Sequence, residues 1–153
     1  MDRKRIYLCL AHMSGKEQDF IKEAFDTNWV VPLGPNVNAF EKSLQDFLIE
    51  NGKLKIENEG KQVVALSAGT AALHLGLILL GVQAGDEVIC QSFTFCASAN
   101  PVTYLGATAV FVDSEEDTWN MNPVLLEEAI RDRIAKTGRE PKAIIPVHLY
   151  GMP

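Results

Sequence analysis

Leu66-Ser67-Ala68-Gly69-Thr70-Ala71-Ala72-Leu73-His74-Leu75 is the stretch on which the fold turns. The short apolar run Val63–Leu66 leads into it, and an apolar segment of helix length, Thr70–Leu80, leaves it and stops at Gly81. Between the two lies a turn of small residues, so the pattern reads strand, tight turn, helix. The same rhythm continues downstream. Glu87–Cys90 is strand-like, Phe95–Leu105 is a helix interrupted by Pro101, and Thr108–Val112 is a strand. Pro123–Ala135 is a helix with proline in its first turn, and Ala143–Val147 is a strand. Strands and helices alternating at this spacing predict an α/β layer, a mostly parallel sheet flanked by helices.

Upstream the texture differs. Ser14 and Glu17 stand at capping-box spacing, and Phe20, Ile21, Ala24 and Phe25 recur at helical intervals, which predicts a helix over 15–26. Asn28-Trp29-Val30-Val31-Pro32-Leu33-Gly34-Pro35 holds two prolines and a glycine and reads as non-helical. A second helix is expected from Asn38, with Glu41 three residues on and an apolar stripe of Phe40, Leu44, Phe47 and Leu48. Residues 51–61 read as a charged surface loop. The division expected is a helical segment with a substrate loop over 1–60 and the first part of an α/β domain over 61–153. That domain reads as truncated at its C-terminus, because Pro153 follows directly on a strand.

Composition narrows the classes. The formal net charge of −6 argues against nucleic acid and anionic membrane as partners, since both reward dense Lys and Arg. Cys9, Cys90 and Cys96 are odd in number and lack framework spacing, as expected of reduced thiols. No stretch has the length of a signal-peptide core or a membrane span, so a soluble, cytoplasmic protein is expected.

Three stretches can carry chemistry. At the turn before Thr70 the first helical amides lack intrahelical partners and the helix dipole adds positive potential, which suits a phosphate. Gly69 lets a ligand approach the backbone and the Thr70 hydroxyl can add a hydrogen bond, although a Thr or Ser here also serves as a plain cap. The stretch is neither a Walker motif nor a dinucleotide fingerprint. Gly85-Asp86-Glu87-Val88-Ile89-Cys90-Gln91-Ser92-Phe93-Thr94-Phe95 brings a strand out at its C-terminal end, where open α/β sheets place ligands. Phe95 there either stacks on a planar ring or belongs to the core. Ala143-Ile144-Ile145-Pro146-Val147-His148-Leu149-Tyr150-Gly151 ends a strand in His, Tyr and Gly, and His148 is either a ligand contact or a satisfied structural histidine. The pairs Glu115-Glu116 and Glu127-Glu128 read as solvated faces, and no metal site is implied.

Taken in order, Ser67-x-Gly69-Thr70-Ala71-Ala72-Leu73-His74-Leu75, Gly85-Asp86-Glu87-Val88-Ile89, Thr94-Phe95, Phe111-Val112-Asp113 and Val147-His148-Leu149-Tyr150-Gly151 resemble the DegT/DnrJ/StrS family of nucleotide-sugar aminotransferases. The resemblance begins near His12, runs through the rest of the chain and corresponds to the N-terminal half of the family. Thr27-Asn28-Trp29-Val30-Val31-Pro32-Leu33-Gly34 most resembles the branch acting on UDP-linked 4-keto sugars, the UDP-bacillosamine aminotransferases.

The resemblance implies the N-terminal part of the large domain of a fold-type-I pyridoxal 5'-phosphate enzyme. Gly69, Thr70 and Ala71 would meet the cofactor phosphate, Gly69 also lying near the substrate, and Phe95 would stack on the pyridine ring. Asn28, Trp29, Val30 and Val31 would contact the nucleotide sugar. The parent would be a homodimer moving an amino group from glutamate to a UDP-4-keto sugar in cell-surface polysaccharide synthesis. Ala68 stands where the family often has Ser. The family's Schiff-base lysine and the aspartate that holds the pyridine nitrogen are expected beyond Pro153, since none of the nine lysines here has the right context. The 153 residues alone are therefore expected to be inactive. The other reading is a non-catalytic homologue that senses a sugar or cofactor.

Overall fold

The computed structural model describes Arg5, Tyr7, residues 11–52 and residues 63–152. The chain divides into two units, one up to Ala65 and one from Leu66 onward. The boundary expected at 60/61, and most of the loop expected over 51–61, lie outside the described residues.

The first unit is helical. Helix α1 spans Glu17–Asp26. The Ser14 and Gly15 amides donate to the Glu17 carboxylate at 2.6 and 3.0 Å, while the Ser14 hydroxyl accepts from the Lys16 amide at 3.2 Å. The capping-box spacing is thus used, with Lys16 as the boundary residue. The helix stops because Asn28 enters the left-handed region at φ 58°. Its amide donates to the Phe25 carbonyl at 3.2 Å and the Trp29 amide to the Ala24 carbonyl at 2.8 Å, the double closure of a Schellman turn.

Helix α2 spans Pro35–Glu50 and starts three residues before the expected Asn38. Pro35 takes the first helical position, where its fixed φ is suited and its missing N–H costs nothing. Gly34 caps at φ 136°, accepting the Asn38 amide at 3.0 Å. Glu41, expected to help cap this helix, is instead buried within it and accepts the Ala65 amide at 3.0 Å.

In the second unit, β1 (Glu87–Gln91) lies between β2 (Thr108–Val112) and β3 (Ala143–Ile145) in a parallel sheet ordered β2-β1-β3. Cys90 stands level with Phe111 on one side and Ile145 on the other. Helices α3 (Gly69–Leu79) and α4 (Asn100–Tyr104) cover one face, where Leu77, Val82, Val88, Cys90, Val102, Ala107 and Ile145 form the core. Side chains alternate along a strand, so Glu87, Ile89 and Gln91 point to the other face. There α5 (Pro123–Thr137) sends Arg133 onto the Glu87 carboxylate in a two-pronged pair at 2.9 and 2.7 Å. Burial pushes the Cys90 thiol up to about 11.

Several sequence expectations shift. Val63–Leu66 joins no strand among the described residues. The helix expected over Phe95–Leu105 splits into a 3-10 turn, Cys96–Ser98, and α4, because Pro101 fits only in the first turn of a new helix. Strand β3 ends at Ile145, since Pro146 has no N–H for the ladder. Helix α5 runs past Ala135 until Gly138 turns left-handed at φ 71°. No helix among the described residues is long and apolar enough to cross a membrane.

Candidate functional site

Parallel register places the ends of all three strands, Gln91, Val112 and Ile145, along one edge. Helix α3 leads into the start of β1 through the turn Gly81–Asp86, and it packs on the 3-10 turn Cys96–Ser98 that follows the tip of β1. Eleven residues of helix cover about 16 Å, which carries the N-terminal end of α3 toward the same edge as the strand tips.

That helix end is open. Ala68 is extended, with φ −163° and ψ 160°, and supplies no side-chain cap. The Ala71 and Ala72 amides donate back to the Ala68 carbonyl at 3.0 and 3.2 Å. Ala71, expected to meet the phosphate, therefore has its amide spent internally. Among the described residues the Gly69 and Thr70 amides and the Thr70 hydroxyl take no partner. A methyl group built on Gly69 would meet nothing within 4 Å among the described residues, so a ligand can approach the backbone there. Two amides unspent among the described residues, at the positive end of an eleven-residue helix with no side-chain cap, fit a phosphate.

Phe95 is 78% exposed, which is not the environment of a core phenylalanine. Its backbone is nonetheless held. The Ser98 amide donates to the Phe95 carbonyl at 3.0 Å, and the Thr94 and Ser98 hydroxyls lie 2.9 Å apart. Further back, the Ser92 amide donates to the Val112 carbonyl at 2.8 Å and the Ser92 hydroxyl to the Asp113 carboxylate at 3.2 Å. An exposed ring on a pinned turn offers a planar ligand a face at small entropic cost.

The strand tips are tied by residues that the sequence reading passed over. Gln91, fully buried, donates through Nε2 to the carbonyls of Phe93 and Trp119 at 3.1 and 2.8 Å, and its Oε1 accepts the Val147 amide at 3.3 Å. Asn120 accepts the Leu149 amide and donates to the Met152 carbonyl, each at 2.9 Å. The available signal was a lone amide side chain closing the apolar run Val88-Ile89-Cys90.

Asn28, Trp29, Val30 and Val31 belong to the first unit. All four are exposed and non-helical, and Trp29, at 49% exposure, lays its indole on Gly34, where an added methyl would come within 3.0 Å of the ring. Asn28 spends its backbone on ending α1, and its side-chain amide has no partner among the described residues. Trp29, Val31, Leu33 and Gly34 to Val37 line a hollow of about 70 Å³. His148 is exposed and precedes a 3-10 turn, Leu149–Gly151, with Tyr150 at φ 51°. Glu115 lies at the surface, and its carboxylate is also used locally. Its carboxylate accepts from the Thr118 hydroxyl, the Asp117 amide and the Thr118 amide, and these bonds hold it down to about 2.

Residues 12–153 match the sequence profile of the DegT/DnrJ/EryC1/StrS aminotransferase family, and the chain belongs to that family. Its members are pyridoxal phosphate-dependent aminotransferases acting in sugar metabolism, and solved relatives hold the cofactor as pyridoxal and pyridoxamine phosphate. The chain is 52% identical over 97% of its length to EpsN of Bacillus subtilis (strain 168), provisionally named a pyridoxal phosphate-dependent aminotransferase. It is 40% identical over 98% of its length to GDP-perosamine synthase of Caulobacter vibrioides. A crystal structure of a DegT DnrJ EryC1 StrS aminotransferase from Brucella abortus superposes with a TM-score of 0.70 at 37% identity over 93% of the chain. The chain spans 35%, 36% and 38% of these three proteins.

Proposed function

We propose that this chain forms the cofactor-cradling, N-terminal part of an aminotransferase that delivers an amino group from glutamate to a UDP-linked 4-keto sugar. The observation that carries the reading is the open end of α3, where, among the described residues, the Gly69 and Thr70 amides and the Thr70 hydroxyl are unspent and a methyl built on Gly69 meets nothing within 4 Å. These groups would hold the cofactor phosphate by hydrogen bonds and by the helix dipole. Phe95 would supply the stacking face. The cofactor, when bound, supplies an electron sink for the carbon from which the amino group departs. The chain's own contribution is placement, because it fixes the phosphate at one end and the ring plane at the other. The lysine and the aspartate that complete the site would lie beyond Pro153, and the 153 residues alone would not turn over.

The likeness of Thr27 to Gly34 to the UDP-sugar branch supports the sugar half of the proposal. Trp29 offers a flat face for a uracil or sugar ring, and the Asn28 side chain offers both a donor and an acceptor. The provisional naming of EpsN as a pyridoxal phosphate-dependent aminotransferase and the naming of a relative as GDP-perosamine synthase agree with the reaction class. The test is steady-state kinetics of the full-length enzyme with its Trp29→Ala variant, run on UDP- and GDP-linked 4-keto sugars. The expected result is a raised KM for the UDP-sugar with the KM for glutamate nearly unchanged. Turnover of the GDP-sugar alone overturns the UDP assignment, and equal changes in both KM values show the loop to be structural.

A further inference from the structure

Gln91 is a polar side chain with no exposed surface at the tip of an apolar strand, and an amide is rarely placed there unless its bonds are made. The amide can make at most four hydrogen bonds and makes three. Its orientation follows from its partners. Phe93 and Trp119 present carbonyls and must receive N–H, while Val147 presents an N–H and must meet oxygen. The three partners lie on the three segments that leave the C-terminal ends of β1, β2 and β3. One side chain therefore fixes all three exits from the sheet relative to one another. Phe93 is two residues from Phe95, and the turn between them is shared by the Ser92–Asp113 and Thr94–Ser98 contacts.

We propose that Gln91 is the positioning residue of the cofactor-facing turn, setting the place and tilt of the Phe95 ring through the Phe93 carbonyl. This rests on the reading of Phe95 as the stacking face. Gln91 itself touches no ligand. Its loss frees the Phe93 carbonyl and removes the tie to Trp119, whose backbone sits at φ 63° and to whose ring the Phe93 ring packs edge-on at 5.8 Å. The strand stays in register, since its ladder does not involve the side chain, and the defect falls on the turn beyond it.

The test is a double-mutant cycle on Gln91→Met and Phe95→Ala in the full-length protein, read as affinity for pyridoxamine 5'-phosphate. This form stacks but makes no covalent link through its amine. Phe95→Ala is expected to weaken binding by about threefold to tenfold, the worth of an aromatic face. Gln91→Met is expected to weaken it comparably, yet to add nothing once Phe95 is alanine. Thermal melts without cofactor separate this from lost folding. Should Gln91→Met not yield folded protein, Gln91→Glu takes its place, because a buried, protonated carboxyl group keeps the shape and the acceptor while offering one donor where the amide offers two. Affinity for the Gln91 variant within about twofold of the parent, or an effect that multiplies in full on top of Phe95→Ala, overturns the proposal. No effect from Phe95→Ala overturns the reading of Phe95 first, and the role of Gln91 falls with it.

Discussion

The helical unit up to Ala65 and the sheet unit from Leu66 are built by opposite means. Helix α1 has no buried residue at all, and Phe20, Ile21 and Phe25 along its apolar stripe are all exposed, as are Phe40, Leu44 and Phe47 of α2. These helices exist through local devices: the Glu17 carboxylate at one end of α1, the Schellman closure at the other, and Pro35 opening α2. In the second unit three short strands are set by what packs on them. Val88, Ile89 and Cys90 of β1 are wholly buried, with helices on both faces. Amphipathic pattern and burial are thus separate properties: the described helices of the first unit have the pattern without a buried apolar residue, while β1 of the second is buried on both faces.

The largest expected effect tests that contrast directly. Ile89→Ala should lower unfolding stability by about 2–5 kcal/mol, the range for a fully buried aliphatic cut to alanine. Ile21→Ala, at a half-exposed position in α1, should stay within about 0.5 kcal/mol. Chemical denaturation of both variants decides, and equal losses would erase the distinction between the two units.

A smaller effect is expected at α5. It is the one described α-helix whose N-cap side chain makes the cap bonds: Asn122 Oδ1 accepts the Val124 and Leu125 amides at 2.9 and 3.2 Å. Asn122→Ala should cost about 1 kcal/mol. A cost near zero would mean that packing of α5 on the sheet makes its cap redundant, and the sheet unit would then depend even less on local devices.

The mildest effect compares one carboxylate from each unit. Glu17 is held down to about 2, first by the hydrogen bond from its own amide and then by the Ser14 amide, and Glu115 is held at about 2, first by the Thr118 hydroxyl. Both folded values lie below the ordinary 4.5, so each contribution is full above pH 4.5 and fades as pH falls toward 2. Carboxyl NMR titration should give midpoints near 2 for both groups. A midpoint near 4.5 at either residue means that its turn opens in solution.

The Gly69-Thr70 turn shows how far sequence reading reached. Small residues followed by an apolar helical run announced an open helix start, and the structure leaves the Gly69 and Thr70 amides unspent there. That Ala71 would be consumed by Ala68 was not legible, because an i to i+3 closure depends on the backbone angles of one turn. The α5 start at Pro123 and the strand Thr108–Val112 were read at their observed bounds, since proline and β-branched runs act locally. The α2 start was misplaced because a helical pattern does not distinguish a capping asparagine from a proline at the first position.

By itself the sequence determined the alternation of strand and helix, the family, and the residue types offered to a phosphate and a ring. Each of these is carried by neighbours in the chain, whose spacing and backbone preferences survive without any partner. Tertiary structure alone decided that β1 is central, that Phe95 faces outward, that Glu41 lies buried against the Ala65 amide, and that Gln91 joins three strand exits. Those outcomes depend on groups 24, 28 and 56 positions apart in the chain meeting at hydrogen-bond distance. A buried amide is tolerated only where such partners converge, and no local pattern encodes that convergence.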